Sequence, residues 1–266
     1  MSSTSVGDPG VVDREVGDRD MVDATDRGRM PSAALVWDAQ PADAAAVVIV
    51  LHGGAVDGYE PNRPWSHNVA RLLPFARSLR SVPGPLAVAR VRFRFRGWNG
   101  DEQAPLVDAR WALEQVRTAY PGRPVAVVGH SMGGRVALHL GAERDVRLVV
   151  ALAPWIERRD TRPGPWCRTV VIHGDRDVIC GLSRSRRLVE ELQAQGRDAS
   201  LIRVARGDHA MLLRPRLWTE LVTGVVASSF AGELGIADDA SAEPRSGEVG
   251  AAIALAVHGG GSVIDL

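Results

Sequence analysis

The chain has 266 residues, with 32 acidic and 32 basic side chains, so its formal net charge is zero. That balance, with no basic run, removes the electrostatic footprint expected of a nucleic-acid or membrane-surface binder. The length supports one substantial core, and every basic residue is arginine.

Residues 1–30 are rich in Asp, Gly, Ser and Arg and have no apolar periodicity, so they read as a disordered N-terminal tail. They lack the apolar core of a secretion signal, and no apolar run reaches the roughly 18 residues of a spanning helix. Cys167 and Cys180 stand at no metal-ligand spacing and read as free thiols in a reducing compartment. The chain is therefore expected to be cytoplasmic, without a membrane partner.

Between residues 31 and 230 strands and helices alternate. Ala34–Trp37 is a weak first strand, and Val47–Leu51 is a strong, buried one ending at His52-Gly53-Gly54. A loop with Pro61, Pro64 and Trp65 leads to an amphipathic helix near His67–Leu79. Leu86–Phe95 reads as a strand and Ala104–Tyr120 as a helix with Leu106, Ala109, Leu113 and Val116 on one face. Val125–Val128, Leu148–Ala153, Thr169–His173 and Ser200–Val204 read as further strands. Helices are expected from Gly134 to Gly141, over Ser183–Gln195 and over Pro215–Phe230. This alternation predicts an α/β architecture, a mostly parallel central sheet of about 7 strands with helices on both faces. Residues 231–266 read as a low-complexity C-terminal tail, in which Val249–Val257 is long enough for a short docked helix.

Between Val128 and the following helix lies Gly129-His130-Ser131-Met132-Gly133, a G-x-S-x-G turn. A serine there is held on a sharp strand-to-helix turn, and its small neighbours let strand and helix approach. The helix that begins beside it aims backbone N–H groups and a positive dipole end at the same place. Gly54, Ser131, Asp177 and His209 each follow a predicted strand, so the carboxyl end of a parallel sheet gathers all four.

With Leu51-His52-Gly53-Gly54, Gly129-His130-Ser131-Met132-Gly133, His173-Gly174-Asp175-Arg176-Asp177 and Gly207-Asp208-His209, the chain resembles the α/β-hydrolase superfamily over residues 33–230. The order nucleophile, acid, histidine is that family's order. The resemblance implies Ser131 as nucleophile, His209 as general base and then acid, and Asp177 as the group that orients the imidazole. It also implies an oxyanion hole from the N–H groups of Met132 and Gly54, with Ala55 as the alternative upstream donor. Asp175 is the rival acid, set aside because it follows the strand too closely, and Asp208 diverges from its neighbour His209.

Trp98 and Trp155 follow strands at the active end and are candidate apolar walls for a substrate, and His130 is a candidate pocket residue. His52, His139 and His173 read as packing or hydrogen-bonding residues. No metal and no cofactor is expected, since no two His or Cys stand at ligand spacing on one element. Arg92, Arg94 and Arg96 alternate with Phe93 and Phe95. They read as stems packed at a sheet face, with Arg96 also a candidate anion contact. Many members of the family insert a lid after the strand that corresponds to Leu148–Ala153. Here only Trp155 to Trp166 are available, which is too short for a cap domain. The reading is a lidless serine hydrolase acting on small-molecule carboxylic esters, with thioesters or amides less favoured and the oligomeric state open. The alternatives are a cofactor-free haloperoxidase or a carbon–carbon bond hydrolase on the same fold, or a non-catalytic binding module.

Overall fold

A computed structural model describes residues 31–236, 247–259 and 263–266. The N-terminal tail expected over residues 1–30 lies outside them. The chain runs β1 (Ala34–Ala39), β2 (Ala46–Leu51), α1 (His67–Ala70), α2 (Leu73–Leu79), β3 (Leu86–Arg92), α3 (Ala104–Ala119) and β4 (Val125–His130). It continues through α4 (Met132–Leu140), β5 (Val146–Leu152), β6 (Arg168–Gly174), α5 (Leu182–Ala194), β7 (Ala199–Val204), α6 (Pro215–Ser229), α7 (Glu248–His258) and β8 (Val263–Asp265).

These eight strands form one sheet in the order β1-β3-β2-β4-β5-β6-β7-β8. β1 runs antiparallel to β3, and every other pairing is parallel. Strand β2 illustrates why the sheet is central. All six of its residues are buried, and they alternate between two cores. Val48 and Val50 face a layer with Phe75 and Leu79 of α2, Trp218 and Leu221 of α6, and Ile253 of α7. Val47, Ile49 and Leu51 face the opposite layer, with Leu106 and Leu113 of α3, Leu138 of α4 and Leu188 of α5. A strand covered on both faces has no polar side to show, hence the unbroken Val/Ile/Leu run.

The structure differs from the sequence reading in three places. The single helix expected over His67–Leu79 is two, because Pro74 has no N–H to continue a ladder from Ala70. The strand expected to reach Phe95 stops at Arg92. Beyond it the Phe93 N–H donates to His52 Nε2 at 3.2 Å and the Arg94 N–H donates to the Asp108 carboxylate at 2.8 Å. Finally, the segment read as a low-complexity tail adds α7 and an eighth strand. Ile253, Ala256 and Val257 of α7 close the core over α6 and β7. β8 then pairs with the edge of β7, where Arg203 meets Asp265 at 2.6 Å. Edge strands recruit such partners because their backbone groups are otherwise unpaired.

The last helix is thus part of the core on one face only, which a pair of substitutions tests. Ile253→Ala should lower the free energy of urea unfolding by about 2–4 kcal/mol. Leu255→Ala, two residues on and 48% exposed, should change it by less than about 0.5 kcal/mol.

Candidate active site

Ser131 sits between β4 and α4 at φ 54° and ψ −115°. That left-handed backbone is costly for a residue with a Cβ and persists only where its surroundings over-determine it. They do so here. The Ser131 N–H donates to the Leu152 carbonyl of β5 at 2.9 Å, and its carbonyl accepts from the N–H groups of Arg135 and Trp155, both at 3.1 Å. The two glycines of the motif are contact points. A Cβ on Gly129 would overlap the Gly133 carbonyl, and one on Gly133 would overlap the carbonyl oxygens of Leu51 and His52. Helix α4 therefore begins at Met132, two residues earlier than the sequence pattern indicated.

The three side chains of the expected triad meet. His209, on the loop after β7, places Nε2 3.0 Å from Ser131 Oγ, in position to accept the hydroxyl proton. Its Nδ1–H donates to Asp177 Oδ2 at 2.7 Å. Asp177 lies on the loop after β6 with its side chain fully buried. Its other oxygen accepts from the N–H groups of Ile179 and Cys180, each at 2.8 Å. Burial alone would raise this carboxyl. Contacts from His173 and His209 and the Cys180 N–H outweigh it and hold Asp177 well below the usual carboxylate range.

His173, read from sequence as a structural residue, holds this acid loop. Its Nδ1 accepts from Ser185 Oγ at 2.8 Å, its Nε2–H donates to the Cys180 carbonyl at 2.7 Å, and the same nitrogen lies 3.1 Å from Asp177 Oδ2. No local sequence signal distinguishes it from any histidine before a strand-end glycine. The Cys180 thiol lies on the same loop, between β6 and α5. Burial and the nearby Asp177 charge push it up to about 11, so near neutrality it is protonated and no rival nucleophile.

His130 is 2% exposed and turns from any open cleft toward the His209 backbone. Its Nε2–H donates to the His209 carbonyl at 2.8 Å, and the two rings lie 4.9 Å apart. His130, expected as a pocket residue, is thus buried and braces the loop that carries His209. Upstream, the Ala55 N–H is committed to the Arg96 carbonyl at 2.8 Å. No acceptor among the described residues takes the Gly54 N–H. The Met132 N–H opens α4 and has no acceptor inside the helix. Gly54 must be glycine, since a Cβ there would overlap Met132 and the Arg96 carbonyl.

Of the tryptophans expected as pocket walls, Trp98 is buried and Trp155 half-buried, and both rings flank one guanidinium. Arg135, one turn into α4, lies with its guanidinium 3.8 Å from the Trp98 ring centroid and 4.4 Å from that of Trp155. It pairs with Asp160 through Nε at 3.0 Å and Nη2 at 2.7 Å. Trp98 is 3% exposed and belongs to the core. A buried guanidinium needs both a carboxylate and flat faces, and two aromatic rings supply the faces. Asp175 and Asp208 stand apart from the imidazole: Asp175 accepts the Arg206 N–H at 2.6 Å and Asp208 the Leu213 N–H at 2.8 Å. Among the described residues no group of three or more His, Cys, Asp or Glu stands ready to hold a metal. No helix there is long and apolar enough to cross a membrane.

Two histidines of this site set its acid sensitivity. Burial chiefly lowers His52 from 6.5 to about 4 and His130 from 6.5 to about 3. In the unfolded chain both take up protons near the ordinary histidine value, while the folded protein refuses them. As pH falls from about 6.5 to 4, folding should weaken by about 1.4 kcal/mol per pH unit for each histidine, leaving the plateau above it unaffected. Urea titrations across that range should give this slope, and His52→Gln or His130→Gln should each flatten it by about one proton.

A model described as the alpha/beta hydrolase family matches residues 48–170. Among solved structures, a serine hydrolase without a lid from Xanthomonas campestris is 22% identical, with a TM-score of 0.55 over 71% of this chain and 85% of its own. A putative alpha/beta hydrolase from Agrobacterium tumefaciens is 19% identical, with a TM-score of 0.58 over 75% and 92%. Est1E from Butyrivibrio proteoclasticus, solved with ferulic acid bound, is 15% identical, with a TM-score of 0.54 over 75% and 96%. A search of curated proteins gives no match. The described residues share the lidless arrangement, with only residues 153–167 between β5 and β6. The family model and these structural likenesses agree on the fold: the chain has the α/β-hydrolase fold.

Proposed function

We propose that the protein is a serine hydrolase that cleaves carboxylic esters through an acyl-serine intermediate. The observation that carries this reading is the unbroken relay from Ser131 Oγ to His209 Nε2 at 3.0 Å and from His209 Nδ1 to Asp177 at 2.7 Å. A serine hydroxyl attacks a carbonyl only when a base takes its proton as the bond forms. His209 is the base, and the imidazolium it becomes is stabilised by Asp177, which stays ionised far below neutrality. The tetrahedral oxyanion is met by the N–H groups of Gly54 and Met132. Collapse expels the alcohol, which takes the proton from His209. Water, deprotonated by the same imidazole, then releases the acid and restores Ser131. The lidless site favours short or medium soluble esters over long lipid chains.

Three measurements test the proposal. Ser131→Ala should lower kcat toward a short 4-nitrophenyl ester by about 10⁴-fold or more and abolish labelling by a fluorophosphonate. Asp177→Asn should cost about 10³–10⁴-fold in kcat while leaving fluorescence-monitored unfolding cooperative. Turnover or labelling that persists in Ser131→Ala would remove the serine from the mechanism.

A further inference from the structure

The arginine row on β3 and the loop after it ends in a side chain with no structural task. Arg90 pairs with Asp38 at 2.6 Å, Arg92 donates to the Asn62 carbonyl at 2.7 Å, and Arg94 pairs with Asp108 at 3.0 Å. Arg96 is exposed and has no carboxylate partner among the described residues. It lines an open groove of about 570 Å³ together with Arg63, Trp65 and His67. The Arg63 guanidinium lies 5.8 Å from the centre of the Trp65 ring, again without a carboxylate, and Trp65 is 71% exposed. Glu60 is the one acidic residue lining the groove.

The backbone of Arg96 links this groove to Gly54, where an added Cβ would overlap the Arg96 carbonyl. The Arg96 carbonyl holds the Ala55 N–H at 2.8 Å, one residue beyond the Gly54 donor, and an added Cβ on Gly53 would touch the Ser131 Cβ at 3.4 Å. We propose that the groove binds an anionic group of the substrate, a carboxylate or phosphate a few bonds from the scissile carbonyl, with Arg96 and Arg63 as its specificity-determining residues. Two guanidiniums against one carboxylate leave a positive balance, and a planar guanidinium accepts such oxyanions in a two-pronged geometry. The proposal rests on the hydrolase reading for its reaction but not for its binding.

The test uses pairs of esters that differ only in charge. One pair is the 4-nitrophenyl monoester of adipic acid and its methyl-capped counterpart, with the charge on the acyl side. The other is 3-carboxyphenyl acetate and its methyl ester, with the charge on the alcohol. In one pair at least, the wild type should favour the anionic member in kcat/KM by about three- to tenfold at low salt, and the preference should shrink at about 0.5 M NaCl. Because the readout is a ratio on one protein, a general loss of activity cancels. Arg96→Gln should reduce the ratio several-fold, Arg96→Lys should keep most of it, and the double variant Arg63→Gln/Arg96→Gln should bring it to about one. Equal rates within both pairs on the wild type, or a preference that survives in the double variant, would overturn the proposal. Calorimetric titration of each pair into Ser131→Ala separates this claim from the hydrolase reading. There, tighter binding of an anionic member supports the groove whatever the chemistry, and equal binding within both pairs counts against it.

Discussion

The site depends on backbone touching backbone where α4 leaves β4. Gly129 and Gly133 put a helix turn directly on strand carbonyls, at a separation that no side chain permits. With the helix that close, the linking residue has no relaxed conformation left, and Ser131 takes positive φ. Hydrogen bonds to Leu152, Arg135 and Trp155 then hold it there. The consequence is functional: the hydroxyl stands clear of both elements, and the first N–H of the helix stays unclaimed beside it.

Rigidity spreads from that turn through hydrogen bonds that are themselves buried. His130, the last residue of β4, donates to the His209 carbonyl, so the strand that leads into Ser131 also anchors the loop that carries His209. The acid loop is tied to the same loop by the Arg176 N–H on the Gly207 carbonyl at 3.0 Å, and to α5 by His173 on Ser185. Three segments from different strands are thus cross-braced before any substrate arrives. Preorganisation of this kind matters because a relay displaced by about an ångström loses much of its effect.

How much of this was legible in the sequence follows from how local each signal is. The unbroken runs of β2 and β4 announce strands buried on both faces, and Gly129-His130-Ser131-Met132-Gly133 announces the turn because its chemistry is contained in five residues. The meeting of Ser131, Asp177 and His209 was inferable from a parallel sheet, which sends every strand's carboxyl end to one rim. What escaped was long-range. Val263-Ile264-Asp265 is too short to read as a strand and becomes one because β7 offers an open edge. The burial of Trp98 was not legible either, since nothing in sequence says that Arg135, dozens of residues away, must be stacked and paired. That the Ala55 N–H is taken while the Gly54 N–H has no acceptor among the described residues rests on one hydrogen bond, from Ala55 to Arg96, which no spacing rule contains.

A net charge of zero hides a sorting of arginines by depth. A guanidinium removed from water needs compensation, and the cost of leaving one unpaired grows as solvent recedes. Arg135, on the helix behind the nucleophile, takes a buried carboxylate and two rings. Arg90 and Arg94, partly covered at the sheet edge, take one carboxylate each. Arg92 makes do with a carbonyl. The Arg96 side chain is exposed with no carboxylate partner among the described residues, and its backbone rather than its side chain does the structural work of closing the loop at Ala55. In this row, the arginine with no partner for its side chain among the described residues is the one whose backbone carbonyl lies against Gly54.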